Sequence, residues 1–216
     1  GDIESFPVTS RGELRPGPSL KKAGSFTDPF VLAQAAAPNG DHFFGTGNEG
    51  KVYRLRGTDL KAIYTAPEPE IYAVAFHDGA LYAGTSPNGK VYRIDPNDGR
   101  ATLFYDPKQA YIWALAFLPN GDLAIATGVD GKLFRVTPKG AGKLLFASPE
   151  THLRSLGVQN DGTILAAGPA KGRIYEIRPA GDPRALSDSP PSGLSAITVA
   201  RPGPGPAAHA RTGLPA

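Results

Sequence analysis

A strand–turn–strand motif recurs four times along the chain and constrains its fold more than any other feature. Its copies span residues 43–55, 81–96, 123–138 and 164–179. In each copy, a short turn rich in Gly, Asn or Asp separates two runs that are typical of β-strands. The glycine that opens the second run falls at Gly50, Gly89, Gly131 and Gly172, so the repeat is 39 to 42 residues long.

A repeat of about 40–45 residues made only of short strands predicts a β-propeller, with one four-stranded blade per repeat. A further apolar strand precedes each hairpin and another strand follows it. Helical repeats of this length need apolar residues three and four positions apart, and the 27 glycines and 22 prolines oppose long helices. We therefore predict an all-β chain with four four-stranded antiparallel blades, which together form part of a larger propeller.

Each predicted innermost strand ends in a tight hairpin turn, where Asn or Asp is followed by Gly. These residue types adopt the positive φ angles that such turns require. The innermost strands carry many Ala and Gly residues with apolar residues on both faces, which suits crowding near a propeller axis. The predicted turns are Asn39-Gly40, Asp78-Gly79, Asn120-Gly121 and Asp161-Gly162.

The repeats divide the chain into segments without a linker between them, so we predict a single domain. The blades are expected at residues 27–67, 68–108, 109–149 and 150–190, with the start of a fifth at 191–200. Residues 1–26 are expected to hold leading strands that complete the last blade and close the ring. Residues 201–216 are either a disordered tail or a broken continuation, and the abandoned fifth blade favours the second. Because the chain starts at Gly1 and has no methionine, we expect its natural start to be missing.

Composition excludes several classes of function. The absence of cysteine excludes a disulfide framework and thiol chemistry. No apolar run approaches the roughly 18 residues of a membrane span. The net charge is only +3 and the basic residues are spread through the repeats, which disfavours nucleic-acid binding.

Two turns resemble nucleotide-binding motifs without their structural context. Residues 45–50 satisfy the pattern G-x-G-x-x-G, and residues 45–51 and 84–90 satisfy most of the phosphate-loop pattern. Dinucleotide-binding loops and phosphate loops both need a helix directly after the glycines, whereas strands follow the glycines here. Val52 and Val91 also stand where the phosphate loop has Ser or Thr. We therefore interpret these segments as hairpin turns and predict no cofactor.

The other polar residues give no catalytic or metal-binding pattern. The four histidines show no ligand spacing, so no metal site is predicted; they are His42, His77, His152 and His209. One strand position carries a charge in every repeat, which is typical of inter-blade pairs or solvated edges. It holds Arg54, Arg93, Arg135 and Glu176.

One register position is the candidate binding site. Near the start of the innermost strand, the repeats align Leu32, Tyr72, Trp113 and Arg154. This end of the strand opens onto the face where blade-connecting loops and middle hairpin turns meet, and Tyr, Trp and Arg are enriched at binding hot spots. The alternative is that the two aromatic residues pack between blades. The predicted channel rim consists of Tyr72, Trp113, Arg154, Glu49, Asn88, Asp130 and Lys171.

The segment GTSPNGKVYRIDP (residues 84–96) and its relatives in the other blades carry a family resemblance. Over residues 30–199 the chain resembles bacterial NHL-like propellers and the related gluconolactonase- and strictosidine-synthase-like superfamily. The enzymatic members of that superfamily imply a divalent metal held at the channel by carboxylate and Asn side chains. The equivalent positions here hold Leu, Tyr, Trp and Arg instead. The resemblance also implies a secreted or periplasmic location.

Three functions are compatible with these patterns. The leading one is a non-catalytic propeller, or a piece of one, that presents a face for a protein or small ligand. The alternatives are a metal-dependent gluconolactonase-like hydrolase whose carboxylates lie in further blades, and a structural domain of a larger secreted protein. An incomplete ring leaves its end blades uncovered, so we also expect self-association of this chain.

Overall fold

The computed structural model describes residues 22–169, 172–179 and 183–188, which form sixteen strands and no helix. The strands make four antiparallel sheets of four, ordered in each sheet as along the chain. The first sheet comprises β1 (Val31–Ala36), β2 (His42–Thr46), β3 (Lys51–Arg56) and β4 (Asp59–Thr65). The second comprises β5 (Glu70–His77), β6 (Ala80–Ser86), β7 (Gly89–Ile94) and β8 (Ala101–Gln109).

The remaining two sheets repeat this order. The third comprises β9 (Tyr111–Phe117), β10 (Leu123–Gly128), β11 (Lys132–Val136) and β12 (Gly142–Ala147). The fourth comprises β13 (Ser155–Val158), β14 (Ile164–Ala167), β15 (Arg173–Ile177) and β16 (Arg184–Asp188). The predicted all-β fold with four four-stranded antiparallel blades is confirmed. The predicted fifth blade and C-terminal tail lie outside the described residues, as do residues 1–21 of the leading segment.

All four predicted turns link the innermost strand of a sheet to its neighbour. Their glycines have φ angles of 87°, 73°, 85° and 84°, which L side chains rarely adopt. Asp78 also has a positive φ of 45°, as expected for a two-residue turn of the I′ kind. The local Asn/Asp-Gly signal therefore fixes where each innermost strand ends.

The hydrophobic core lies between successive blades. The first interface includes Phe43, Ile71 and Leu81, each with no exposed surface. The next two are centred on Ile112 and on Leu153, which begin the third and fourth blades and are fully buried. Each blade therefore covers the next, and the innermost strands β5, β9 and β13 are brought side by side.

The start of the first blade is less covered than the starts of the second and third blades. Phe30 and Val31 are 56% and 45% exposed, whereas Ile71 and Ile112 are fully buried. Apolar surface of this kind favours contact with a further blade or a second copy. Self-association remains a prediction: light scattering on the purified chain should show dimers or larger species, and a monodisperse monomer would contradict it.

Three blades contain a buried carboxylate that tyrosine holds at the blade entrance. The Tyr53 hydroxyl lies 2.5 Å from Asp28, and Tyr92 and Tyr175 lie 3.4 and 3.3 Å from Glu68 and Glu150. Each acid precedes the aligned register position by four residues. The third blade has Gln109 and Phe134 at these two positions, so the acid and the hydroxyl are absent together.

Tyr53→Phe is expected to lower the free energy of unfolding by about 1.5–3 kcal/mol, because Asp28 is buried and loses its hydroxyl donor. The matched control is Tyr82→Phe, which removes a hydroxyl from a ring that is also buried. Urea unfolding measures the loss of stability caused by each substitution. Equal effects of the two substitutions would show that the hydrogen bond contributes nothing to stability.

Candidate functional site

The three strand residues of the predicted rim come from successive blades. Tyr72 and Trp113 lie near the starts of β5 and β9, and Arg154 directly precedes β13. Because β9 packs between β5 and β13, the three side chains meet. The rings of Tyr72 and Trp113 are 4.6 Å apart at 53°, and the Arg154 guanidinium carbon lies 4.4 Å from the centre of the Trp113 ring.

Trp113 is accessible at this meeting point. Tyr72 and Trp113 are both half-buried and Arg154 is exposed. The geometry of Arg154 is that of a cation–π contact, which holds the guanidinium against the indole. The aromatic residues therefore pack between blades and also reach the surface, so the two sequence interpretations are compatible.

Sequence reasoning missed two further members of the cluster. Tyr111 lies parallel to Trp113, with ring centres 5.0 Å apart at 6°. His152 meets the indole edge to face, and Trp113 Nε1 donates a 3.1 Å hydrogen bond to His152 Nδ1. Strand periodicity could have found Tyr111, because residues two apart share a face. We name Tyr72, Tyr111, Trp113, His152 and Arg154 the aromatic cluster.

Gly128 at the end of β10 makes room for this arrangement. It pairs with Tyr111 in the sheet and forms an isolated bridge with His152. A Cβ atom on Gly128 would lie 2.0 Å from His152 Nδ1 and 2.7 Å from Trp113 Nε1. Only glycine therefore allows the Trp113–His152 hydrogen bond to form against the strand backbone.

His152 is held in its neutral form. Burial lowers the pKa of His152, and the Arg154 guanidinium lowers it further. The indole N–H can only donate, so Nδ1 must be the acceptor and Nε2 carries the remaining hydrogen. The cluster therefore contains an N–H donor at His152 Nε2.

Folding stability should consequently fall in mildly acidic solution. The unfolded chain binds a proton at His152 below about pH 6.5, whereas the folded chain does so only at its lower pKa. The contribution is complete above about pH 6.5 and is lost as the pH falls through the folded pKa. His152→Gln should flatten this part of a urea-unfolding pH profile, whereas His42→Gln, at an exposed site, should retain it. An unchanged profile in His152→Gln would contradict the assignment.

Tyr72 also stays protonated near neutral pH. Burial raises the pKa of its phenol, and the nearby Glu70 carboxylate raises it further, while Arg154 acts in the opposite direction. The phenol is therefore a neutral hydrogen-bonding group beside one carboxylate and one guanidinium.

Three predicted turn residues, Glu49, Asn88 and Asp130, lie at the same end of the blades, because each middle hairpin turns back where the innermost strand starts. Glu49 forms an ion pair with Lys51 of its own hairpin. Asp130 Oδ2 lies 2.8 Å from Lys132 Nζ, which lowers the pKa of Asp130. Asn88 is exposed in a left-handed conformation, with φ 59°. Lys171 lies outside the described residues, so the contacts that the structure shows unite only Tyr72, Trp113 and Arg154.

The charged residues at the recurring strand position have different partners in different blades. Arg54 Nη1 donates a 2.7 Å hydrogen bond to the carbonyl of Pro96 in the next blade. Arg135 Nε lies 2.6 Å from Asp122 of its own blade, and Glu176 pairs with Arg184 and Arg178. Arg93 is exposed. An inter-blade role is therefore confirmed for Arg54, and pairing within the blade replaces it for Arg135 and Glu176.

The opposite ends of the blades carry the competing pockets. One, of about 200 Å³, lies between the third and fourth blades and includes Asn120, Arg135 and Asp161. Another includes Phe76 and His77 of β5 and the turn after β1. Within the described ranges, no three His, Asp or Glu residues lie close enough to hold a metal. In that same part of the chain, no helix is long and apolar enough to cross a membrane.

No protein-family model and no curated protein match the chain. Solved structures are similar to it. The virginiamycin B lyase from Staphylococcus aureus has a TM-score of 0.71 at 18% identity, covering 88% of this chain and 64% of the lyase. A streptogramin B lyase has a TM-score of 0.66 at 20% identity, covering 88% and 63%. A chain of the nidogen/laminin complex has a TM-score of 0.70 at 13% identity, covering 79% and 68%.

The chain has a β-propeller fold. The propeller fold that the repeats predict is confirmed by these structures. At identities of 13–20% the likeness establishes the fold alone. The chain spans just under two thirds of each lyase's length.

Proposed function

We propose that this chain is a non-catalytic β-propeller domain, or part of one, that binds a protein or small ligand on the aromatic cluster. The observation that supports this most is the convergence of Tyr72, Trp113 and Arg154 from three successive blades at an accessible surface. These are the residue types that dominate binding energy where they are packed and preoriented. The nidogen/laminin complex shows that a protein similar to this chain in fold occurs in a protein complex.

The internal contacts of the cluster favour binding because they reduce the conformational entropy that its side chains would lose. Trp113 is held by stacking on Tyr111 and by its hydrogen bond to His152, and Arg154 is held on the indole. Side chains fixed before binding lose little rotamer entropy when a ligand arrives. A fixed aromatic surface next to a fixed cation is therefore suited to recognition.

The sole tryptophan of the chain provides the test. A panel of saccharides, peptides and small organic acids is screened against the purified chain by the emission of Trp113. Compounds that change the emission should bind more weakly to Arg154→Ala. They should bind equally well to Arg100→Ala, which removes an exposed arginine paired with Asp98. Compounds that bind by calorimetry, leave the emission unchanged and bind Arg154→Ala as well as Arg100→Ala would place the binding face elsewhere.

The hydrolase alternative gives a different result in the same samples. Metal-dependent hydrolysis of a sugar lactone by the chain, unaffected by Arg154→Ala, would favour the gluconolactonase-like function over a binding module. Two lyases are similar to this chain in fold, so the fold itself is compatible with catalysis. A chain with neither binding nor hydrolysis would favour the structural role or a hydrolase whose carboxylates lie in further blades.

A further inference from the structure

We infer that the aromatic cluster recognises an oxyanion, a carboxylate or a phosphate, carried on a flat apolar ligand. This inference rests on the proposed binding function and specifies its ligand class. Three features of the described residues support it: the state of Arg154, the donor on His152 and the rings that surround them.

Arg154 is a cation that is fixed in place and still open to a partner. Its guanidinium lies 4.4 Å from the Trp113 ring centre, and the side chain is exposed. Among the described residues it forms no ion pair, whereas the turn lysines Lys51 and Lys132 are paired with their own acids. A guanidinium that is held over a ring and has no carboxylate partner keeps N–H donors that can match a carboxylate or phosphate with two parallel hydrogen bonds.

His152 supplies a second donor beside this cation. Its Nδ1 is occupied by Trp113, so the Nε2 hydrogen is the one that an anion can accept. His152 and Arg154 are two residues apart and both contact the same indole. Two donors of different geometry around one ring suit an oxyanion better than a cation or a neutral hydroxyl.

The rings of Tyr72 and Tyr111 supply the apolar part of the site. Both contact Trp113, and both are half-buried. Flat apolar groups pack well on such rings in offset or edge-to-face arrangements. A ligand with an oxyanion next to an aromatic body therefore satisfies both halves of the cluster.

Two carboxylates near the cluster oppose an anion. Glu70 lies beside Tyr72 and is half-buried. Glu150 precedes His152 by two residues, is 3% exposed, and accepts a hydrogen bond from Tyr175. Glu70 is the closer to solvent, so Glu70→Gln should strengthen the binding of an anionic ligand and leave a neutral one unchanged.

The test uses three small probes on the full chain at neutral pH. Phenylacetate and phenyl phosphate carry the oxyanion, and phenylacetamide is the neutral counterpart of the first. The readouts are the emission of Trp113 and its indole N–H resonance, the only one in the NMR spectrum because the chain has a single tryptophan. We expect at least one anionic probe to bind about tenfold or more tightly than phenylacetamide. Comparing the two anions distinguishes a carboxylate from a phosphate ligand.

Three variants test whether the charge of Arg154 determines the preference for an anion. Arg154→Ala should remove the preference for the anion, Arg154→Lys should retain only part of it, and Arg100→Ala should leave it intact. Thermal unfolding confirms that each variant is folded. Equal binding of phenylacetate and phenylacetamide would overturn the oxyanion inference while leaving the proposed binding function in place. Failure of all three probes to perturb Trp113 would also overturn it, and the panel screen then decides the binding function separately.

Discussion

Gly50→Ala should lower the free energy of unfolding by about 3 kcal/mol or more, a large fraction of the roughly 5–15 kcal/mol that stabilises an ordinary domain. Gly50 has a φ of 58°, and a Cβ atom there would lie 2.0 Å from the carbonyl oxygen of Glu68. That oxygen belongs to the loop that enters the second blade. Its displacement would pull Glu68 away from Lys90 and Tyr92.

The matched control is Gly57→Ala. Gly57 has nearly the same φ, 61°, and nothing lies within 4 Å of the position that a Cβ atom would occupy there. Its replacement should cost about 1–2 kcal/mol from backbone strain alone. Urea unfolding of both variants separates strain from steric overlap. Equal losses of stability would show that the blade-entrance loop is not packed against Gly50.

Trp113→Ala should strongly weaken the binding of the panel compounds that the wild-type chain binds. The substitution removes the ring that holds Arg154 and His152, so the cluster loses both its apolar surface and its fixed donors. Hot-spot residues of this kind contribute about 2–4 kcal/mol, which corresponds to a loss of affinity of roughly thirtyfold to a thousandfold. Calorimetry measures the loss without requiring the tryptophan.

Phe117→Ala is the appropriate control for this variant. Phe117 lies in the same strand as Trp113, is also half-buried, and stacks on His77 at the opposite end. Phe117→Ala should lower the free energy of unfolding and leave the affinity for the panel compounds unchanged. Loss of binding in both variants would mean that the strand as a whole, rather than the aromatic cluster, determines binding.

The fold could be predicted from sequence because its signals are local. The turn glycines with φ angles of 73° to 87° are required at fixed places in every repeat, and the period between repeats sets the blade length. The registers of Tyr72, Trp113 and Arg154 follow from the same alignment of repeats. Equivalent positions in adjacent blades must be neighbours near the axis, which explains why these three residues meet.

Other parts of the site depend on contacts that a repeat alignment does not contain. His152 enters the cluster through a bridge to Gly128 across the blade boundary, where the isolated histidine gives no motif. Glu49 and Asp130 have the expected position, but lysines two residues later pair with them. The shared position of the buried acids at the blade entrances is visible in the sequence, since each lies four residues before the aligned position. Their burial against tyrosine depends on packing and could not be predicted.

Mapping backbone amide shifts by NMR, with and without the tightest panel compound, tests the location of the binding face most directly. The proposed function predicts shifts concentrated at Tyr72, Tyr111, Trp113, His152 and Arg154. Shifts concentrated instead around Asn120, Arg135 and Asp161, at the opposite ends of the blades, would contradict it.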